Sequence, residues 1–116
     1  MSVKRIVSNV ATDDVAGLQE FYKALFGLET VMDFGWIATL ASSRQAEVQI
    51  SLASEGGSGT PVPDLSIEVD DVAATYAKAK SLGCAIEYEL TDEPWGVRRA
   101  ILTDPDGHAV NVLVHL

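Results

Sequence analysis

The chain states one pattern twice. Asp13-Asp14-Val15-Ala16 opens a helix-patterned stretch that ends near Gly27, and Asp70-Asp71-Val72-Ala73 opens another that ends near Gly83. Further on, Glu47-Val48-Gln49-Ile50-Ser51-Leu52 matches Ala109-Val110-Asn111-Val112-Leu113-Val114 in its alternation of apolar and polar residues. Repetition at a fixed period constrains a fold more than any single motif. Two copies in a chain of 116 residues imply a pseudo-symmetric arrangement with a shared cavity between the copies.

Each copy reads as β-α-β-β-β. Lys4 to Ala11 has strand patterning, with Ile6 and Val10 on one face and Val7, Asn9 and Ala11 on the other. Thr12 and Asp13 offer N-cap oxygens to the helix that follows. Val15, Leu18, Tyr22 and Leu25 then recur every three or four residues, with Phe21 beside them. Gly27 is placed to end that helix in a left-handed conformation. Strands are expected near Glu29–Asp33, Trp36–Ala41 and Glu47–Leu52. Ser54 to Pro63 is glycine-rich and then proline-stiffened, and reads as a linker over about 54–63. It separates unit one, about 3–53, from unit two, about 64–116. The second unit repeats the order: strand Leu65–Val69, helix Asp71–Leu82, then strands near Ala85–Glu89, Val97–Thr103 and His108–Val114. Asp104-Pro105-Asp106-Gly107 is a strong turn signal between the last two. The expected class is therefore α+β: two tandem βαβββ units, each a curled sheet with one helix, in a single domain of 1–116.

The net charge of -9 and a pI near 4.4 disfavour nucleic acid and anionic membrane as partners, since both reward clusters of Lys and Arg. Neutral or cationic small molecules suit such a chain better, although acidity also serves solubility alone. Cys84 is the single cysteine, so no internal disulfide or cysteine-rich metal site can form. Met1 to Arg5 is followed by polar residues rather than an apolar signal region, and no stretch reaches the length of a membrane span. A cytoplasmic protein is expected.

The repeat also supplies candidate site residues. Asp70 lies 57 residues after Asp13, which aligns Asp64 with Val7, Ser66 with Asn9 and Glu68 with Ala11. In the last strands Gln49 aligns with Asn111. Val48, Ile50, Leu52, Leu65, Ile67, Val69, Val110, Val112 and Val114 should face the helices. The opposite face then carries Val7, Asn9, Ala11, Gln49, Ser51, Asp64, Ser66, Glu68, Asn111 and Leu113. Polar residues there often just meet solvent; their symmetric placement favours a cavity. Trp36 and Trp95 open one inner strand of each unit, as aromatic plates for a ligand or as sheet or dimer packing. Arg98 and Arg99 are adjacent, so one of them faces the cavity; Arg99 is taken as the candidate.

Four stretches carry a family likeness: Glu20-Phe21-Tyr22-Lys23-Ala24-Leu25-Phe26-Gly27-Leu28, the Val69-Asp70-Asp71 helix entry, Trp95-Gly96-Val97-Arg98-Arg99, and Asp104-Pro105-Asp106-Gly107-His108-Ala109-Val110-Asn111. In combination they resemble the vicinal oxygen chelate superfamily, which includes glyoxalase I, extradiol dioxygenases, fosfomycin resistance proteins and bleomycin resistance proteins. The resemblance implies a curled sheet around each half of a cavity and, in the enzymes, a divalent metal held by His, Glu or Gln, His and Glu. The matching positions here are Val7, Gln49 (Ser51 if the register slips by two), Asp64 and Asn111. Val7 cannot ligate, and Asn111 offers only an amide oxygen, whereas zinc and non-haem iron sites want nitrogen or sulfur donors with a carboxylate. His108 and His115, the only histidines, fall at neither histidine position.

No nucleophile elbow or phosphate loop competes with this reading. The resemblance and the lost ligands together imply a metal-free protein without cofactor. It would bind a small organic compound, cationic or aromatic, in the manner of bleomycin resistance proteins, which are antibiotic-sequestering homodimers. The alternatives are a metal-dependent or metal-independent lyase, isomerase or dioxygenase, with Asp64 or Glu68 as a base in the metal-independent case, and a scaffold whose function is dimerisation.

Overall fold

The computed structural model describes residues 5, 7–44 and 49–116. Among them are two helices and six strands in two open sheets, an α+β arrangement. The chain divides into two compact units, Met1–Ser54 and Glu55–Leu116.

The first unit contains α1 (Val15–Phe26) followed by β1 (Glu29–Asp33) and β2 (Ala38–Ala41). The helix starts one residue later than the sequence pattern suggests. Asp14 is the cap, its Oδ1 accepting from the Gly17 amide at 2.9 Å, while Thr12 Oγ1 accepts from the Asp14 amide. This satisfies amide donors that the first turn leaves unpaired. Gly27, at φ 67°, ends the helix as expected. Leu18, Tyr22 and Leu25 form its buried stripe, and the Tyr22 ring stacks on Phe26 at 5.9 Å between centroids. β1 and β2 form an antiparallel hairpin with Glu29 opposite Ala41 and a bulge between Thr30 and Met32.

Two expectations fail in this unit. Val7 to Ala11 form no strand, nor do Gln49 to Leu52; Lys4, Ile6, Glu47 and Val48 lie outside the described residues. Ile50 and Leu52, expected against a helix, are 74% and 90% exposed. Alternation marks a segment that fits a pleated, half-buried surface, but a strand also needs a neighbour to pair with. Ser8, which falls where an apolar residue is needed, weakens the first of these segments.

The second unit keeps the β-α-β-β-β order in full: β3 (Leu65–Glu68), α2 (Val72–Ser81), β4 (Ala85–Asp92), β5 (Val97–Thr103) and β6 (Ala109–His115). Asp71 caps α2, its Oδ1 accepting from the Ala74 amide at 3.0 Å. The sheet order is β3-β6-β5-β4, with β3 parallel to β6 and the other pairs antiparallel. The β5–β6 turn forms as expected. Asp104 accepts from the Gly107 amide through its carbonyl, and from the Asp106 and His108 amides through Oδ1. Ala100, Leu102, Val110 and Val112 are buried on one face, since Ala100 pairs with Val112 and Leu102 with Val110 and paired residues share a face. Helix α2 packs across β4, β5 and β6 and buries Val72 and Ala79. No helix of the described residues is long and apolar enough to cross a membrane.

Residues 55–63, read from the sequence as a flexible linker, fold with the second unit. Gly56 to Thr60 form a tight turn in which the Gly56 amide donates to the Thr60 carbonyl at 2.8 Å and the Thr60 amide to the Gly57 carbonyl at 3.0 Å.

Candidate functional site

Strand register decides which side chains of the second unit share a face. Ser66 stands opposite Asn111, which stands opposite Ile101, which is paired with Tyr88. One step along the strands, Glu68 stands opposite Leu113, which is opposite Arg99, paired in turn with Thr91. Asn111 and Arg99 are therefore diagonal neighbours on the face away from the Leu102–Val110–Val112 row. The same register puts the two arginines on opposite faces. Arg99 lies on this face and is buried, whereas Arg98 shares the other face with Val114 and pairs with Asp92.

Two buried polar atoms on this face lack a partner: Asn111 Oδ1 and Arg99 Nε. Asn111 is 9% exposed, and its Nδ2 donates to Ser66 Oγ at 3.2 Å. Leaving such groups unmatched costs roughly 1–3 kcal/mol each, so they are uncommon outside binding sites and strained regions.

Both terminal nitrogens of the Arg99 guanidinium have partners. Nη1 donates to the Gly56 carbonyl at 2.8 Å and Nη2 to the Gly57 carbonyl at 3.1 Å, and Nη2 also lies 3.1 Å from Glu93 Oε2. Its carbon sits 5.0 Å from the Tyr88 ring centre and 5.2 Å from that of Trp95, so the cation is held by two aromatic rings as well as by oxygens. Glu93 collects three partners. Ser58 Oγ donates to Oε2 at 2.7 Å, Tyr88 Oη to Oε1 at 2.8 Å, and Arg99 supplies the charge. Burial pushes the Glu93 carboxyl up, but the bonds from Ser58 and Tyr88 and the Arg99 cation outweigh it and hold the group below the usual glutamate range.

The remaining candidates are distributed as follows. Asp64 Oδ2 accepts from the Ala109 amide at 2.8 Å, which ties the start of β3 to β6. Glu68 lies 2.8 Å from His115 Nδ1, with both side chains exposed. Trp95 is 52% exposed and carries Arg99 over its ring. Asn9, Trp36 and Gln49 belong to the first unit and are all exposed, Trp36 at 77%. Register and a hydrogen bond thus bring together Ser66 with Asn111, and a cation–ring contact brings together Arg99 with Trp95. Sequence reasoning missed Ser58, Tyr88 and Glu93, because nothing local marks a glutamate that meets a serine 35 positions away.

Among the described residues no group of three His, Cys, Asp or Glu side chains gathers; Asp64 Oδ2 accepts from a backbone amide, and Asn111 offers a neutral amide oxygen rather than a carboxylate.

Several solved structures share this fold. TnmS3, an antibiotic binding protein from Streptomyces sp. CB03234, aligns with a TM-score of 0.65 at 23% identity, over 100% of this chain and 97% of its own. TioX from Micromonospora sp. ML1 gives 0.65 at 20% identity, covering 97% of each chain. A lactoylglutathione lyase from Agrobacterium tumefaciens gives 0.68 at 20% identity, over 98% of this chain and 96% of its own. No curated protein matches the sequence. The family model described as Glyoxalase/Bleomycin resistance protein/Dioxygenase superfamily matches residues 3–112, nearly the whole length of the sequence, and the chain belongs to that superfamily.

Proposed function

We propose that this protein binds a small organic molecule with an aromatic portion on the Asn111–Arg99 face of its second unit, and holds it without metal or chemistry. The observation that carries this reading is the pair of buried, unpartnered atoms Asn111 Oδ1 and Arg99 Nε on one sheet face. An unpartnered acceptor and donor on one face, with an indole against the arginine, match how small-molecule sites combine apolar surface with a few placed polar groups. The antibiotic binding protein TnmS3, which aligns over the whole chain, shows that this fold can serve sequestration. The cationic half of the expected ligand has less support at Trp95, where the protein's own guanidinium already stands over the ring. Within the second unit, a ligand cation would have the carboxylates of Asp64 and Glu68 to work with.

Native mass spectrometry of the protein purified gently from cell extract tests both parts. An organic adduct with well under one equivalent of Zn, Ni, Fe or Mn is the expected result. Stoichiometric metal that survives mild dialysis, with no organic adduct, would overturn the reading in favour of a metal-dependent lyase or dioxygenase.

We also propose that the chain works as a homodimer. Val31, Phe34 and Trp36 of the first hairpin are exposed large apolar residues, as are Ile50 and Leu52, and exposed apolar surface of this kind can serve as a contact surface. Residues 7–11 and 49–52 have strand patterning but no strand pairing. Light scattering at micromolar concentration should give twice the 12.4 kDa chain mass; a purely monomeric sample would count against it.

A further inference from the structure

The Gly56–Thr60 turn lies against the functional face and has an unusual construction. Gly57, Ser58 and Gly59 have φ values of 82°, 51° and 78°, and Ser58 is the one non-glycine residue with positive φ among those described. A left-handed serine carries strain of roughly 1–2 kcal/mol. The turn has almost no apolar side chain to bury, so polar contacts fasten it. They come from two residues: Arg99, which binds the Gly56 and Gly57 carbonyls, and Glu93, which binds Ser58. Gly57 also rests on the indole, since a Cβ there would come within 2.8 Å of Trp95 Cη2. Few apolar contacts and a strained backbone favour opening, and the three bonds to Arg99 and Glu93 are what hold the turn down.

We propose that this turn is a cover over a subsite for a neutral carboxamide-type group, and that its two glycine carbonyls occupy the Arg99 guanidinium in place of the ligand. The proposal rests on the binding reading above. When the turn lifts, Nη1 and Nη2 lose the Gly56 and Gly57 oxygens and are offered to a ligand carbonyl. The open Oδ1 of Asn111 then accepts the ligand's N–H. A neutral group fits because Glu93 already balances Arg99: a ligand carboxylate would put two anions on one guanidinium, and a ligand cation would face it.

Benzamide, benzoate and benzamidine share a ring and differ in the charge of the head group, so they serve as probes. In a Trp36→Phe background Trp95 is the sole tryptophan, and acrylamide quenching reports its cover. Gly57→Ala should unseat the turn, increase quenching and tighten benzamide binding by about threefold to tenfold, the reciprocal of the fraction already open. Ser58→Ala, which only removes a fastener, should move both readouts the same way by less. Benzamide should bind best of the three. If Gly57→Ala increases quenching but leaves benzamide affinity unchanged or weaker, the cover is overturned while the binding reading stands. Unchanged quenching overturns the seating of the turn on Trp95. If none of the three probes binds either form at millimolar concentration, with quenching increased, the cover and the binding face fall together. A preference for benzamidine or benzoate overturns the neutral head group.

Discussion

Arg99→Met is expected to destabilise the protein by about 3 kcal/mol, lowering the thermal midpoint by roughly 12 °C. Removing one partner of a buried ion pair costs about 3–5 kcal/mol because the other charge is left uncompensated. The cover here is one turn thick, which selects the lower end, and about 4 °C per kcal/mol is appropriate to a chain of this size. The pair has side chains only 4% and 2% exposed. Pairing Arg99→Met with Glu93→Leu should recover more than half of the loss, and purely additive losses in thermal melts would show that Glu93 is not the group left stranded. The same carboxylate makes stability depend on pH with a definite sign. Its folded pKa is lowered, so its contribution is complete above the unfolded value of about 4.3 and disappears as pH falls through the folded value. Glu93→Gln should flatten that acid limb of the stability profile.

Asn111→Leu is expected to do two opposite things: raise the thermal midpoint by about 4 °C or more and weaken benzamide binding by about tenfold. The first follows from deleting a buried acceptor whose unmet state costs roughly 1–3 kcal/mol; Ser66, which loses its amide partner, is exposed and can turn to water. The second is one hydrogen bond to the ligand, worth about 1.4 kcal/mol per factor of ten. Stability given up for function is the signature of a site. Calorimetry alongside fluorescence titration reads both, and a lower midpoint with unchanged binding would make Asn111 a structural residue.

Local chemistry was the legible part of this protein. The Asp-led helix starts, the αL glycine after α1 and the Asp104–Gly107 turn each depend on contacts within four residues, and pattern reading placed all three within a residue or two. The second face of the second unit was also legible, because alternation fixes which side chains go together: Ser66, Glu68 and Asn111 share it as the period of two requires. The flanking segments of the first unit were not, since patterning at Val7–Ala11 and Gln49–Leu52 says what a strand would bury and nothing about whether a partner is present. The Arg99 cluster escaped for a different reason. Its contacts span 42 and 43 positions to Gly57 and Gly56, and glycine-rich sequence looks the same whether a turn hangs free or is bolted to a guanidinium.

The parallel pairing of β3 with β6 has a kinetic consequence. Among the described residues β3 has no neighbour in its sheet except β6, and Ser66 reaches Asn111 across 45 positions of chain. Contacts of that sequence separation must meet the entropy of closing a long loop before they return anything. The β4–β5 and β5–β6 hairpins are local and can zip early. During synthesis, β3 and α2 leave the ribosome well before β6, and the strand waits unpaired. The face that carries Ser66, Asn111 and Arg99 comes into being only when β6 slots in between β3 and β5, so that face and its sheet are completed in one step.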